Sequence, residues 1–330
     1  MDLQTILGAF ASVSSLVHAA FDELVELCGI PAFLGVLGLL VGSFLNVVIY
    51  RKPIIMMREW LLDTGGMLED GDVWKRVFSK AQPDELTAAG KSVLGHLEGL
   101  APLGLSTPRS RCGACGHQIR WYENIPLLSW LVLRARCSAC KTPISVRYPI
   151  IEAVTGLLFA LASVKFGAHP VTLAWCAALG LLVAMALIDI DTTLLPDELT
   201  YPLLWLGLIV AVAGWTIPLQ DAVLGAVAGY MPLWVIANGY ARIRGREGMG
   251  GGDLKLLAAL GAWFGWQAIL PIILISSIVA LCVNVPRHYL SGRDEDHPYP
   301  FGPFLVGGGL VVMFVGTDTL LSWVGIHFPA

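Results

Sequence analysis

Two sets of side chains in this sequence are spaced for chemistry: four cysteines in two tight pairs, and several aspartates at the ends of apolar runs. The segment RCGACGHQIRWYENIPLLSWLVLRARCSACKTPIS carries Cys112, Cys115, Cys137 and Cys140 as C-x2-C, 21 residues, C-x2-C. Each pair can offer two thiolates to adjacent corners of a tetrahedron, and four thiolates complete a closed Zn²⁺ site. Such a site has no open coordination position, so the metal is expected to organise the loop and not to react. An iron centre or redox-active thiols are the alternatives for the same spacing. His117, next to the first pair, reads as a neighbour of the site and not a ligand. Cys28, Cys176 and Cys282 stand singly in apolar runs and read as small core residues.

The aspartates lie in two stretches. In MALIDIDTTLLPDELTYPLL (185–204), Asp189 ends an apolar run and Asp191 follows it; Pro196 then opens the next run, with Asp197 or Thr200 as a candidate helix cap. In GREGMGGGDLKLLAALGAWFG (245–265), Asp253 stands between a run of glycines and an apolar segment. From Leu254 to Trp266 a helix would rise only about 20 Å, short of a hydrocarbon core of about 30 Å. If the glycine loop 248–252 dips inward against protein or a wet cavity, Asp253 begins its helix below the surface. Two close carboxylates in such a place cannot both ionise cheaply, so one keeps a proton. The pair then offers a general acid and a general base able to activate water against a peptide carbonyl. Helix capping at the headgroup level is the plain alternative, and a cation or proton pathway would also use intramembrane acids.

The elements that must position these groups are apolar helices. Of 330 residues, 56% are hydrophobic and 14% charged, which is far more apolar than a soluble chain of this length. Apolar runs recur at 31–50, 149–166, 171–188, 198–215, 220–239, 254–266, 268–285 and 302–324. The fold class expected is therefore an all-α polytopic membrane protein with about eight transmembrane helices and a small cytoplasmic zinc-binding loop domain. Basic residues mark the sides. Arg51 to Arg147 fall on one side, as do Arg242, Arg244, Arg246, Arg287 and Arg293. The opposite loops, GAHP at 167–170 and WTIPL at 215–219, carry none, with only Lys165 nearby. The basic side should be the cytoplasm, and both Asp189 and Asp253 fall at that boundary. The net charge of −4 and the hydropathy give no reason to expect a nucleic-acid partner; the lipid bilayer is the expected one.

Three parts follow. Residues 1–50 hold an N-terminal segment, amphipathic and without signal-peptide character, and the first span. Residues 51–148 form a cytoplasmic insert, with the four-cysteine site in 109–148 and a stretch at 53–108 to which no chemistry attaches. Residues 149–330 form a membrane-embedded helix bundle.

Taken together, the GxGD segment with its following LKL (Gly250, Gly252, Asp253, Leu254, Lys255, Leu256), the earlier DIDTTLLPD and the four-cysteine loop resemble the bacterial type IV prepilin peptidases. GSFLNVVIYRKP (42–53) and ENIPLLSW (123–130) also match motifs of that family, and the resemblance covers about residues 31 to 310. It implies a membrane aspartic protease of the GxGD type, bifunctional as leader peptidase and N-methyltransferase, in the bacterial inner membrane. Its catalytic aspartates fall on Asp189 and Asp253. Asp189 is preferred to Asp191 because the family's aspartate precedes the proline of the PD pair by seven positions, here Pro196. Gly250, Gly252, Lys255, Asp191 and Asp197 become supporting residues.

The implied substrates are prepilins and type II secretion pseudopilins, whose new N-terminus is methylated from S-adenosylmethionine. No nucleotide-binding fingerprint marks the donor site. Glu123, Asn124, Asn46 and Arg51 are candidates for it, with a loop cap and an interfacial anchor as their plain readings. Many relatives carry glycine two positions before the third cysteine, where this chain has Ala135. A transporter would need paired broken helices in two repeats, and none is visible. A zinc-loop scaffold would leave both aspartates dispensable.

Overall fold

A computed structural model describes residues 18–245, 249–291, 299–323 and 325–326. Arg246, Gly248, Arg293 and residues 1–17 lie outside them. Among the described residues every regular element is a helix, with two isolated β-bridges, Arg111 to Gln118 and Arg136 to Pro143, in the long loop that follows residue 98. Residues 18–28 (α1) lead by a short turn into α2 (Pro31–Glu69), and α3 (Gly71–Phe78) and α4 (Asp84–Glu98) follow. A loop with the single turn of α5 (Leu128–Val132) connects to α6 (Arg147–Phe166) and α7 (Pro170–Thr192). The bundle is completed by α8 (Asp197–Val212), α9 (Leu219–Arg244), α10 (Gly251–Phe264), α11 (Ile269–Ser291), α12 (Gly302–Val315) and α13 (Thr317–Trp323).

All eight apolar runs seen in the sequence form helices, but they are not equal. Five segments are long and apolar enough to cross a membrane: α2, α6, α7, α9 and Trp266–Arg287. The pair α12 and α13, bent by 100°, makes a sixth if it counts as one span. At 16 and 14 residues, α8 and α10 are shorter. Their brevity has a physical basis in α10, where every residue from Leu256 to Trp263 is buried. A helix sheathed by protein need not match the full hydrocarbon thickness. By contrast Trp205, Ile209, Val235 and Leu281 project outward at 58 to 62% exposure, as lipid-facing side chains do.

One helix departs from expectation. The helix of the first span does not stop near Tyr50: α2 continues through Pro53 to Glu69, 39 residues or about 58 Å, well beyond the length a hydrocarbon core needs. Its extension is held from two sides. Arg51, 8% exposed, donates to the carbonyls of Gly104 (2.8 Å), Leu105 (3.4 Å) and Pro108 (2.7 Å), while α4 packs back along it. Within the bundle α2 lies against α6, and a Cβ at Gly42 would come within 2.7 Å of the Glu152 Cα. Small residues at such contacts let two membrane helices touch backbone to backbone.

The core is dense around α7 and α10, where Trp175 meets Trp263 at 4.2 Å between ring centroids. The Trp263 indole N–H donates to the Leu203 carbonyl at 2.9 Å, so its one polar atom is satisfied. Cys28 and Cys176 are buried in this core as expected, but Cys282 is exposed on the outer face of α11.

Candidate active site

Four helix ends meet at one end of the bundle: the C-terminal turn of α7 and the first turns of α8, α10 and α12. Between them and the extension of α2 lies a cleft of about 490 Å³. Asp189 and Asp253 both line it. Asp189 is 4% exposed, in the last turn of α7. A carboxylate is disfavoured at a helix C-terminus, where the carbonyl ends are already negative. Its compensation comes from another helix: the backbone N–H of Gly302, opening α12, donates to Asp189 Oδ2 at 2.9 Å. A Cβ at Gly302 would sit 2.8 Å from that oxygen. Sequence reasoning missed this residue, although Gly-Pro at 302–303 is a signal for a tight helix start.

Asp253 occupies the first turn of α10, where the helix dipole favours negative charge. It makes no ion pair among the described residues and is within electrostatic reach of Asp189. It is not a cap, since Gly250 holds that position with no side-chain hydrogen bond. The glycine run is only partly a loop. Gly251 and Gly252 are already helical, and Gly252 faces Leu195, whose Cβ would lie 2.7 Å from an added Cβ. Glycine is needed here for the approach of α10 to the 193–196 turn. Nor do Asp197 and Thr200 cap α8: Pro196 is its N-cap, and the Thr200 hydroxyl donates to the Pro196 carbonyl at 3.0 Å.

The supporting residues divide. Gly250, Gly252 and Asp197 line the cleft. Asp197 is engaged by Lys255, whose Nζ lies 2.7 and 2.8 Å from its two oxygens, tying α8 to α10. Asp191 lies outside the cleft, in a two-pronged pair with Arg147 at 2.8 and 2.7 Å. The extension of α2 adds Met56, Glu59 and Trp60 to the wall, and Lys52 pairs with Glu198 at 2.8 Å. None of these was expected from the sequence, because the first span was taken to end before them.

The four cysteines converge. Their sulfurs all lie within 4.8 Å of one another, with Cys112 to Cys140 at 3.7 Å. A tetrahedral site with metal–sulfur bonds of about 2.3 Å has an edge of about 3.8 Å, so this set could hold a metal ion. The two knuckles are built alike. In the first, Cys112 N–H donates to His117 O at 2.8 Å; in the second, Cys137 N–H donates to Thr142 O at 2.9 Å. Each turns through a left-handed residue, Gly116 and Lys141. His117 points away to Glu123, at 3.3 Å. The Arg120 N–H, with the Ser138 hydroxyl, holds the Glu123 carboxyl down at about 2.

A second cavity of about 620 Å³ separates this loop from α2 and α6. Asn46, Arg51, Glu123 and Asn124 all line it, coming from two stretches more than seventy residues apart in sequence. The Asn46 amide donates to Gly42 O (3.2 Å) and Tyr148 O (3.3 Å). Glu152, which was not anticipated, lies in its wall at 8% exposure.

These features describe a polytopic, all-helical membrane enzyme with paired carboxylates at the end of its bundle. Comparison with known proteins makes the assignment specific. Residues 36–166 match the bacterial peptidase A24 N-terminal domain, and residues 176–285 the type IV leader peptidase family. A prepilin leader peptidase/N-methyltransferase of Burkholderia pseudomallei (strain 1026b) is 42% identical over 317 residues, 94% of this chain and 96% of the relative. Proteins of that name from Aeromonas hydrophila (42%) and Stutzerimonas stutzeri (44%) each cover 88% of this chain and 92% of their own length. No solved structure matches the chain. The chain belongs to the type IV leader peptidase family.

Proposed function

We propose that this protein removes the leader peptide from prepilins and pseudopilins and then methylates the new N-terminus, with Asp189 and Asp253 as the peptidase pair. The observation that carries the peptidase half is the shared cleft: two carboxylates from α7 and α10, neither paired with a basic side chain among the described residues, face one cavity at the bundle's end. Close carboxylates share a proton. The ionised one takes a proton from water as the water oxygen attacks the scissile carbonyl. The protonated one donates to the carbonyl oxygen and, on collapse, a proton reaches the departing amine. The Gly302 N–H fixes Asp189 for this role. Gly250 and Gly252 shape the cleft floor, and the Lys255–Asp197 pair holds the start of α10 in place.

The domain plan of 1–50, 51–148 and 149–330 suits this division, with cleavage in the bundle and methyl transfer beneath the cysteine loop. Arg51, Lys52, Arg58, Arg147 and Lys255 gather at the cleft end, which supports a cytoplasmic position for cleft and loop in a bacterial inner membrane. A basic leader on a hydrophobic helix would deliver its junction there. Zinc is the metal that four thiolates select best, and a closed site of this kind would hold one wall of the second cavity. That cavity suits S-adenosylmethionine in size, and Tyr50, Trp130 and Tyr148 offer rings for a nucleobase. Glu123, Asn124 and Asn46 would supply polar contacts, while Arg51 braces the wall. The donor would present a methyl group on a sulfonium.

The test is mass spectrometry of a prepilin-like peptide incubated with the purified protein in lipid and S-adenosylmethionine. Asp189→Asn and Asp253→Asn should each abolish leader loss. Cleavage at the parent rate by either variant would end the dyad assignment.

A further inference from the structure

Glu152 is a carboxylate inside a membrane helix, and cleavage gives it no task. Such residues are costly and call for a partner or a function. Its Oε2 accepts the backbone N–H of Leu127 at 2.8 Å, and Ser43 stands beside it on α2. Ser43, Asn46 and Glu152 are each 8 to 9% exposed and together form a polar floor to the second cavity. Gly42 permits this arrangement, since a side chain there would push the backbone of α6 away at Glu152 itself.

Among the described residues two acidic side chains line the cavity, and they are held differently. Glu123 is spent within its own loop, accepting the Arg120 N–H at 2.9 Å and facing His117. Glu152 has no basic partner among the described residues. The two cavities lie at successive levels of α2 but on different sides of it: Arg51 borders one and Met56 the other, about 7.5 Å apart along the axis and about 140° around it.

Methylation of that N-terminus sets a chemical demand. An α-amine freed at neutral pH is largely protonated, with a pKa of about 7.7–8.0, and the ammonium has no lone pair. We propose that Glu152 binds the substrate's new N-terminal ammonium in the second cavity and accepts its proton. This rests on the reading of that cavity as the methyl-transfer site. One proton passes from nitrogen to the Glu152 carboxylate, leaving the lone pair on nitrogen. The amine then forms the N–C bond as the C–S bond breaks with its electron pair left on sulfur. Positive charge moves from sulfur to nitrogen in that step, and a fixed carboxylate beside the nitrogen stabilises it where it develops.

The experiment uses the full chain in lipid with a prepilin-like peptide. Cleavage and methylation are followed by mass spectrometry, and binding of S-adenosylhomocysteine by calorimetry. In Glu152→Gln, cleavage and binding should stay within about threefold of the parent while methylation at pH 7 falls about a hundredfold, as for a lost general base. The deficit should shrink as pH rises past the amine's own range of about 8. Methylation at the parent rate, or a deficit that pH does not relieve, overturns the role of Glu152. Loss of binding and cleavage together would make it a structural residue only. Asn124→Trp, which fills the cavity, should abolish S-adenosylhomocysteine binding. If it binds as the parent does, the cavity reading itself fails and Glu152's role falls with it.

Discussion

The backbone N–H of Gly302 and the carboxylate of Asp189, 113 residues apart, meet at 2.9 Å at the end of the bundle. The contact joins the start of α12 to the end of α7 and settles a charge that α7 alone would disfavour. Gly302→Ala would drive a methyl group into Asp189 Oδ2 or force the helices apart. A hydrogen bond to a charged group contributes about 1.5–3 kcal/mol, so cleavage should slow by about tenfold to a hundredfold. Methylation of a pre-cleaved peptide, measured in the same samples, should be unaffected.

Asp189 and Asp191 give a sharper contrast than their spacing suggests. Asp191→Asn removes only a partly exposed pair with Arg147, and such pairs contribute about 0.2–1 kcal/mol. Cleavage by that variant should stay within about fivefold of the parent, whereas Asp189→Asn should be inactive. A timed assay of leader loss on both variants reads the difference directly.

Metal removal should divide the two activities. Cys112 and Cys137 line the second cavity, and no cysteine touches the cleft. Where a loop's folding depends on its metal, chelation unfolds it. Stripping the metal should therefore abolish binding of S-adenosylhomocysteine and expose 109–148 to protease while leader cleavage persists. Elemental analysis of the untreated protein should give one zinc per chain.

Ala135 sits at φ 56°, in the left-handed region, next to Arg134 at φ 53°. An L side chain there costs about 1–2 kcal/mol, which glycine avoids. That is a physical reason for a glycine to be favoured at this position. Ala135→Gly should raise the stability of the cysteine loop by about 1 kcal/mol. Thermal unfolding followed by release of bound metal would register it.

Much of the site was legible because its chemistry is local in the chain. Two C-x2-C turns impose their own geometry wherever they lie, and the four sulfurs did converge. Asp253 stood out because an acid opening an apolar helix must be explained by something beyond propensity. Apolar runs gave the helices, since period and length carry that information. The helix was expected to end with its apolar run at Tyr50, where Arg51 and Lys52 follow, but it continues beyond them. The contacts of Arg51 and of α4 that keep α2 helical through Pro53 come from residues up to 57 positions away.

The sequence by itself determined a helical membrane chain, a four-thiolate loop and the aspartates from which a pair could be drawn. Tertiary structure decided which aspartate turns inward. At about 100° per residue, Asp189 and Asp191 point to nearly opposite sides of α7, and only packing fixes which side is the cleft. It also decided that Gly302 supplies Asp189 with a donor and that Glu152 lines the second cavity beneath the cysteine loop. Those relationships join residues tens of positions apart or more, and they exist only once the helices have closed against each other.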